Sequence, residues 1–286
     1  LEGAKAMIEA GILENPHVDA ALMFHDIAGS PVKEGTVGVF GPGAVYASSG
    51  RFEIHIKGVG GHGAAPDWTH NPLGAMCAIY QGIHEIVAEH RSPFDSCTMT
   101  VGKMSAGDSA NIIPETAIMQ GTIRTFSKQV GERLRKDLVT LVEYVGKAKG
   151  VTAEVTFGTA CPPLVVDSNV HKSFLCSMKE MFGDEAWDMR TAWGGAYSKS
   201  TSAEDFSYIA EKVPSGFGWI FLGDSRQGRK WGCHNPKVQF NDAYLYRGAA
   251  AYTKAAMDWL LENAAAGTVS DCIRQAEETL YEMAGN

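Results

Sequence analysis

The sequence predicts an α/β protein in two parts, the second inserted into the first. Between Ser49 and Phe157 the strand and helix periodicities run β-α-β-β-α-β. On either side, short apolar runs of strand type alternate with helix stripes, as in a second domain whose sequence is split. A length of 286 residues exceeds the usual single domain and favours about two. The expected division is 1–47 with 160–286 as one α/β domain, and 48–159 as the insert.

Residues 3–10 suit an amphipathic helix. Val18 to Phe24 is an apolar run bounded by Asn15-Pro16 and His25-Asp26, which puts His25 at a strand's C-terminal end, the edge where open α/β sheets bind ligands. Gly35 to Val39 reads as a short strand closed by Gly41-Pro42-Gly43. In the insert, Phe52, Ile54 and Ile56 alternate as a half-buried strand. Asn71-Pro72 then caps and starts a helix with the stripe Leu73, Met76, Tyr80, Ile83 and Val87. Cys97, Met99 and Val101 alternate as the next strand, and Ala117 to Phe126 as a third. Val130, Leu134, Leu138, Leu141 and Val145 stripe a second helix, and Val151 to Phe157 closes the unit.

That order is the split βαβ, ferredoxin-like arrangement: one antiparallel sheet with both helices on a single face. Its outer strands leave backbone groups unpaired, from which a homodimer through 48–159 is expected. After Pro162-Pro163, Val170, Phe174, Met178 and Phe182 stripe a helix stopped by Gly183. Ser202 would cap a short helix through Glu204-Asp205-Phe206, and Phe217 to Leu222 is a buried strand. Asn241 or Asp242 would cap a helix from about Ala243 to Asn263, and residues 268–284 read as one more.

Composition narrows the function classes. Hydrophobic residues at 45% and charged residues at 20% are ordinary globular values, and a formal charge of −8 gives no electrostatic reason to bind nucleic acid or an anionic membrane surface. Small molecules are the expected partners. The six cysteines form no C-x-x-C pair, which fits reduced thiols in a cytoplasmic protein and argues against zinc-finger sites. No apolar run approaches the ~18 residues that span a bilayer. Phosphate-loop, dinucleotide and nucleophile-elbow motifs are absent.

Gly60-Gly61-His62-Gly63-Ala64-Ala65-Pro66 is a glycine-rich turn between strand and helix. Glycine there admits positive φ or the close approach of another backbone or a ligand, so His62 is presented rather than packed; the plainer alternative is a tight turn with a solvated histidine. His25 and His234 can meet at one sheet edge, and neutral imidazoles suit zinc, manganese, nickel or iron, although catalytic zinc takes three protein ligands. Asn111 lies in the non-helical Ser109-Ala110-Asn111-Ile112-Ile113-Pro114. Arg124 shares a strand face with Gln120 and Thr122 and is suited to a carboxylate, or is an ordinary exposed sheet residue. Glu204 and Asp205 could serve only a helix's first turn. His17, His55, His70, His84, His90 and His171 read as surface residues.

Together these segments resemble the M20 metallopeptidases, in their amidohydrolase branch of aminoacylases, hippurate hydrolases and auxin-conjugate hydrolases. The resemblance rests on Phe24-His25, the stretch from Gly60 to Pro66, Asn111-Ile112-Ile113-Pro114, Gly121-Thr122-Ile123-Arg124, Glu204-Asp205-Phe206 and His234-Asn235-Pro236. It implies a partial zinc-peptidase-like α/β catalytic domain, interrupted by a ferredoxin-like lid and dimerisation domain. The reaction it implies is hydrolysis of the amide bond of N-acyl-amino acids or short peptides. It also implies a pair of divalent metals, zinc or manganese, with His25 and His234 as ligands. His62 would be a lid histidine that reaches the partner subunit's site and stabilises an oxyanion, and Asn111 and Arg124 would hold the amino acid's carboxylate. Two segments that family members carry upstream of this region, Cys-Gly-His-Asp with two ligands and a Glu-Glu pair, do not occur in these 286 residues. The resemblance therefore implies a C-terminal portion with weak metal binding and little turnover. The alternative is a non-enzymatic carboxylate-binding or dimerisation module derived from that fold.

Overall fold

The computed structural model describes residues 2–264, so the helix expected over 268–284 lies outside the described residues. Along the chain run α1 (Gly3–Glu9), β1 (Ala21–Ser30), β2 (Val37–Val39), β3 (Gly43–Tyr46), β4 (Ser49–Lys57) and β5 (Gly61–His62). Next come α2 (Pro72–Glu89), β6 (Cys97–Ala106), β7 (Ile112–Ile113), β8 (Thr116–Thr125), α3 (Lys128–Lys149), β9 (Thr152–Cys161) and β10 (Leu164–Val166). The last are α4 (Ser168–Phe182), β11 (Ala186–Asp188), α5 (Ser207–Ala210), β12 (Ser215–Asp224) and α6 (Leu245–Asn263). Within the described residues, contacts gather the chain into two compact units. One takes in residues 2–19, Ala44–Val165 and Lys199–Val213; the other takes in Ala20–Gly43, Val166–Ser198 and 214–264.

In the first unit the sheet has the order β6-β8-β4-β9, every neighbouring pair antiparallel, which is the ferredoxin-like order. Helices α2 and α3 each start on a side-chain cap, because their first N–H groups lack helical partners. Asn71 Oδ1 accepts from the Leu73 N–H at 3.0 Å, with Pro72 at the first helical position. Ser127 Oγ accepts from the Val130 N–H at 3.4 Å. Helix α3 ends on Gly150 at φ 67°, a left-handed cap. Both helices pack Ile79, Ile83, Leu134 and Leu138 against Phe52, Ile54, Ile56 and Met119 of the sheet.

The α2 stripe is as expected for Leu73, Met76, Ile83 and Val87, which are buried in the core or packed against it. The buried face also takes in Ala75, Ile79, Gly82 and Ile86, and Tyr80 is exposed, its ring edge-on to His84 at 4.8 Å. Small residues set this, since a Cβ on Gly82 would lie 2.5 Å from Leu141 Cδ1 of α3. Helix α5 begins at Ser207, and no side chain caps it, so Ser202 does not play that part. Asp205 instead turns to α1, where its Oδ2 accepts from the Ala4 N–H at 3.1 Å.

In the second unit the sheet has the order β1-β12-β2-β11. Strands β1 and β12 run parallel, as do β2 and β11, while β12 and β2 are antiparallel. Phe174 and Met178 of α4 and Ala251 and Ala255 of α6 cover one face, against Phe24, Val37 and Val39. Strand β1 continues six residues past Phe24 to Ser30 because its partner β12 continues to Asp224. His25, opposite Trp219, is therefore inside a strand and not at its C-terminal end; the register breaks only after Ile27. His171 is likewise not a surface residue. It is 5% exposed on α4, its Nδ1–H donates to the Phe40 carbonyl at 2.8 Å, and burial holds the imidazole below its usual pKa.

Two stability outcomes follow from these contacts. A Cβ on Gly121 would sit 2.3 Å from the Thr100 carbonyl and 2.2 Å from the Phe52 ring, whereas one on Gly102 meets nothing within 4 Å. Gly121→Ala should lower stability by about 1–3 kcal/mol and Gly102→Ala should change it little, read as urea midpoints. For His171 the folded pKa lies below the unfolded value of about 6.5, so the unfolded chain takes up the proton first as pH falls. Stability should fall as pH drops below about 6.5 and level off once folded His171 protonates. In His171→Gln that part of the pH dependence should vanish.

Candidate functional site

Of the five candidates, His25 and His234 lie in the second unit and His62, Asn111 and Arg124 in the first. Strand β1 presents His25, and its Nδ1 lies 2.8 Å from the Asp26 carbonyl oxygen. The same oxygen accepts from Cys233 Sγ at 3.2 Å, so the loop carrying His234 runs beside His25. Gly29 permits the approach: a Cβ there would come 2.6 Å from the Gly232 nitrogen. His234 itself is exposed, with φ 69°. Desolvation raises the neighbouring Asp26 carboxyl above its ordinary value, and the charge of His25 opposes this.

A ring Nδ1–H given to a backbone carbonyl fixes the tautomer and leaves Nε2 free, the usual arrangement behind a metal-bound imidazole. His25 fits that pattern. Among the described residues, however, no three His, Cys, Asp or Glu side chains gather closely enough to hold an ion. The site as described offers two imidazole donors and no third ligand beside them.

The glycine-rich turn sets His62 by close approach, not by positive φ, which none of Gly60, Gly61 and Gly63 adopts. His62 pairs with Ile112 in the short β5–β7 ladder, and the Gly63 N–H donates to the Asn111 carbonyl at 2.8 Å. Gly63 makes room: a Cβ there would lie 3.0 Å from that oxygen. The Ala64 N–H donates to His62 Nδ1 at 3.1 Å, so in the neutral ring the proton resides on Nε2, on an exposed side chain. The structure thus brings His62 and Asn111 together. Asn111 Oδ1 accepts from Ser109 Oγ at 2.8 Å, and the residue is exposed.

Arg124 is not with them. It lies eight residues beyond Thr116 on β8, opposite Thr98, roughly 27 Å along an extended strand. His62 and Asn111 are at one end of the sheet and Arg124 is at the other. On the strand face that Arg124 shares with Gln120 and Thr122, the structure adds two cations that the periodicity did not mark, Arg51 and Lys103. Arg51, Lys103, Gln120 and Thr122 line a groove of about 620 Å³ on the sheet face away from the helices. No helix among the described residues is long and apolar enough to cross a membrane.

Residues 47–149 match the peptidase dimerisation domain of the M20 family. The IAA-amino acid hydrolase ILR1-like 2 of Arabidopsis thaliana is 31% identical over 273 residues, 94% of this chain and 59% of that protein. The N-acetylcysteine deacetylase of Bacillus subtilis (strain 168) is 31% identical over 243 residues, 85% of this chain and 59% of its own length. Among solved structures, the Bacillus subtilis YXEP protein, a dinuclear metal binding peptidase of the M20 family, matches with a TM-score of 0.67 at 24% identity. That match, which speaks to the fold, covers 91% of this chain and 61% of the other. The chain spans about three fifths of the length of these relatives. The chain thus carries an M20 peptidase dimerisation domain, and its homologues are hydrolases and deacetylases of the M20 amidohydrolase branch.

Proposed function

We infer that the chain serves a metal-dependent amidohydrolase that cleaves the amide bond of N-acyl-amino acids or short peptides. The observation that carries this is the Asp26 carbonyl, on which His25 Nδ1 and the Cys233 thiol converge, setting the two candidate imidazole segments side by side. The relatives named as an amino acid hydrolase and a deacetylase support it. In this reading residues 1–47 and 160–286 form the catalytic part and 48–159 the lid and dimerisation part. The cysteines among the described residues are free, which supports a reducing, cytoplasmic setting.

His25 and His234 would hold a divalent metal, zinc or manganese, one of a pair in the complete site. Such an ion supplies Lewis-acid polarisation of the amide carbonyl and lowers the pKa of water. His62 Nε2–H donates to the oxygen of the amide as negative charge develops there, the task of an oxyanion-hole donor. Arg124 holds the amino acid's carboxylate in bidentate fashion. Asn111 of the same chain cannot share that carboxylate, given its place at the opposite end of β8. Both can meet one ligand only if two copies of the insert contribute, which supports a homodimer through 48–159. With two imidazoles and no third ligand group beside them, the chain by itself would bind metal weakly and turn over slowly.

The test is made on a longer reading frame that carries additional ligands, assayed with manganese or zinc against a panel of N-acyl-amino acids. His62→Ala should lower kcat about 10²–10³-fold, and His234→Ala should lose metal affinity. A full-length protein that binds metal and cleaves nothing in the panel would refute the assignment. For the chain as it is, light scattering at micromolar concentration should report twice the 30.7 kDa protomer mass; a monomer would remove the shared-ligand argument.

A further inference from the structure

The open face of the insert's sheet is irregular in two places, and both irregularities meet at one groove. In β6 the register against β8 slips between Val101 and Lys103, leaving Gly102 as an extra residue. Without that bulge Lys103 would face the helices; with it, Lys103 stands opposite Gln120 on the open face. In β9 the register against β4 slips between Gly50 and Phe52, leaving Gly158 beside Arg51. A Cβ on Gly158 would lie 3.5 Å from Arg51 Cβ, so the glycine leaves the arginine's base uncrowded.

The charges in this groove are unbalanced. Arg51 stands opposite Thr122, and Arg124 is its diagonal neighbour on the same face, with Cβ atoms roughly 7–8 Å apart. Among the described residues neither arginine has a carboxylate partner. Glu53, the groove's one carboxylate, accepts from Gln120 Nε2 and engages His55 Nε2 at 2.5 Å. Those two bonds hold its carboxyl below its ordinary value, and the charge of Lys103 helps. Thr100 and Thr122 put two hydroxyls 3.2 Å apart on the same floor. In a protein of net charge −8, two unpaired arginines beside two hydroxyls form a place for an anion.

We propose that Arg51, supported by Lys103, is a second carboxylate subsite beside Arg124, and that the groove selects N-acyl derivatives of acidic amino acids. This rests on the reading of Arg124 as the holder of the first carboxylate. Arg124 would take the α-carboxylate and Arg51 the side-chain carboxylate, the spacing of the two arginines suiting two acids carried on one short chain. Arg51 is a specificity residue in this arrangement and touches no reacting atom.

The chain itself is titrated calorimetrically with N-acetyl-L-glutamate and with N-acetyl-L-alanine. The acidic ligand should bind about tenfold tighter, the scale of one charge-assisted bidentate pair. Arg51→Gln, a surface change that leaves the core intact, should erase that preference without altering the alanine derivative's affinity, and Arg124→Gln should weaken both ligands. Equal affinities in the unaltered chain, no binding of either ligand, or a preference that survives Arg51→Gln would overturn the proposal. If Arg124→Gln changes neither ligand while Arg51→Gln still removes the preference, the acidic subsite stands and the role given to Arg124 falls.

Discussion

Backbone packed directly on backbone at the end of the insert's sheet is the contact from which the placement of His62 derives. A Cβ on Gly58 would lie 1.9 Å from the His70 carbonyl, one on Gly60 2.9 Å from that of Ile113, and one on Gly63 3.0 Å from that of Asn111. No other residue type tolerates such distances, and the glycines do it with ordinary φ. The approach lets Val59 pair with His70 and β5 pair with β7, so the turn is held from two sides. A ring on so constrained a backbone, with its Nδ1 already accepting from Ala64, has its remaining N–H direction set before any ligand arrives.

What the sequence made legible follows from which forces are local. Alternation of Phe52, Ile54 and Ile56, the Asn71-Pro72 start and the Gly183 stop are dictated within a few residues, and the structure has them where expected. The ferredoxin-like order was readable because two strong helix stripes fix which strands must cross over. Tyr80 and His171 were misread because their fates depend on distant partners. Leu141 of α3 needs Gly82 beneath it, which brings Gly82 into the buried face of α2 and leaves Tyr80 off it, and the Phe40 carbonyl, 131 residues away, is what makes a buried His171 tolerable.

The length of β1 was illegible for the same reason. Nothing in Asp26 to Ser30 reads as strand, yet β12 supplies a continuous partner through Asp224, and a parallel ladder extends wherever both backbones can satisfy their hydrogen bonds. The glycine-rich stretch reads as a presenting turn, and in the structure it carries an exposed His62 beside Ile112. That Arg124 stands at the far end of β8 could have been counted from the strand's own length.

The groove at Arg51 shows why one face of a sheet is more legible than the other. The helix-facing side must be apolar and continuous, and without the bulge at Gly102 Lys103 would point into it; the bulge turns Lys103 to the open side at the cost of a ladder bond. The irregularities therefore collect where charges can use them. Two like charges on neighbouring side chains repel by only about 0.5–1 kcal/mol in bulk water, and salt weakens that further. A neutral molecule filling the groove would displace that water and strengthen the repulsion, whereas one bearing two carboxylates would cancel it. The arrangement thus discriminates by what it penalises as much as by what it attracts, and it needs no rearrangement of the sheet to do so.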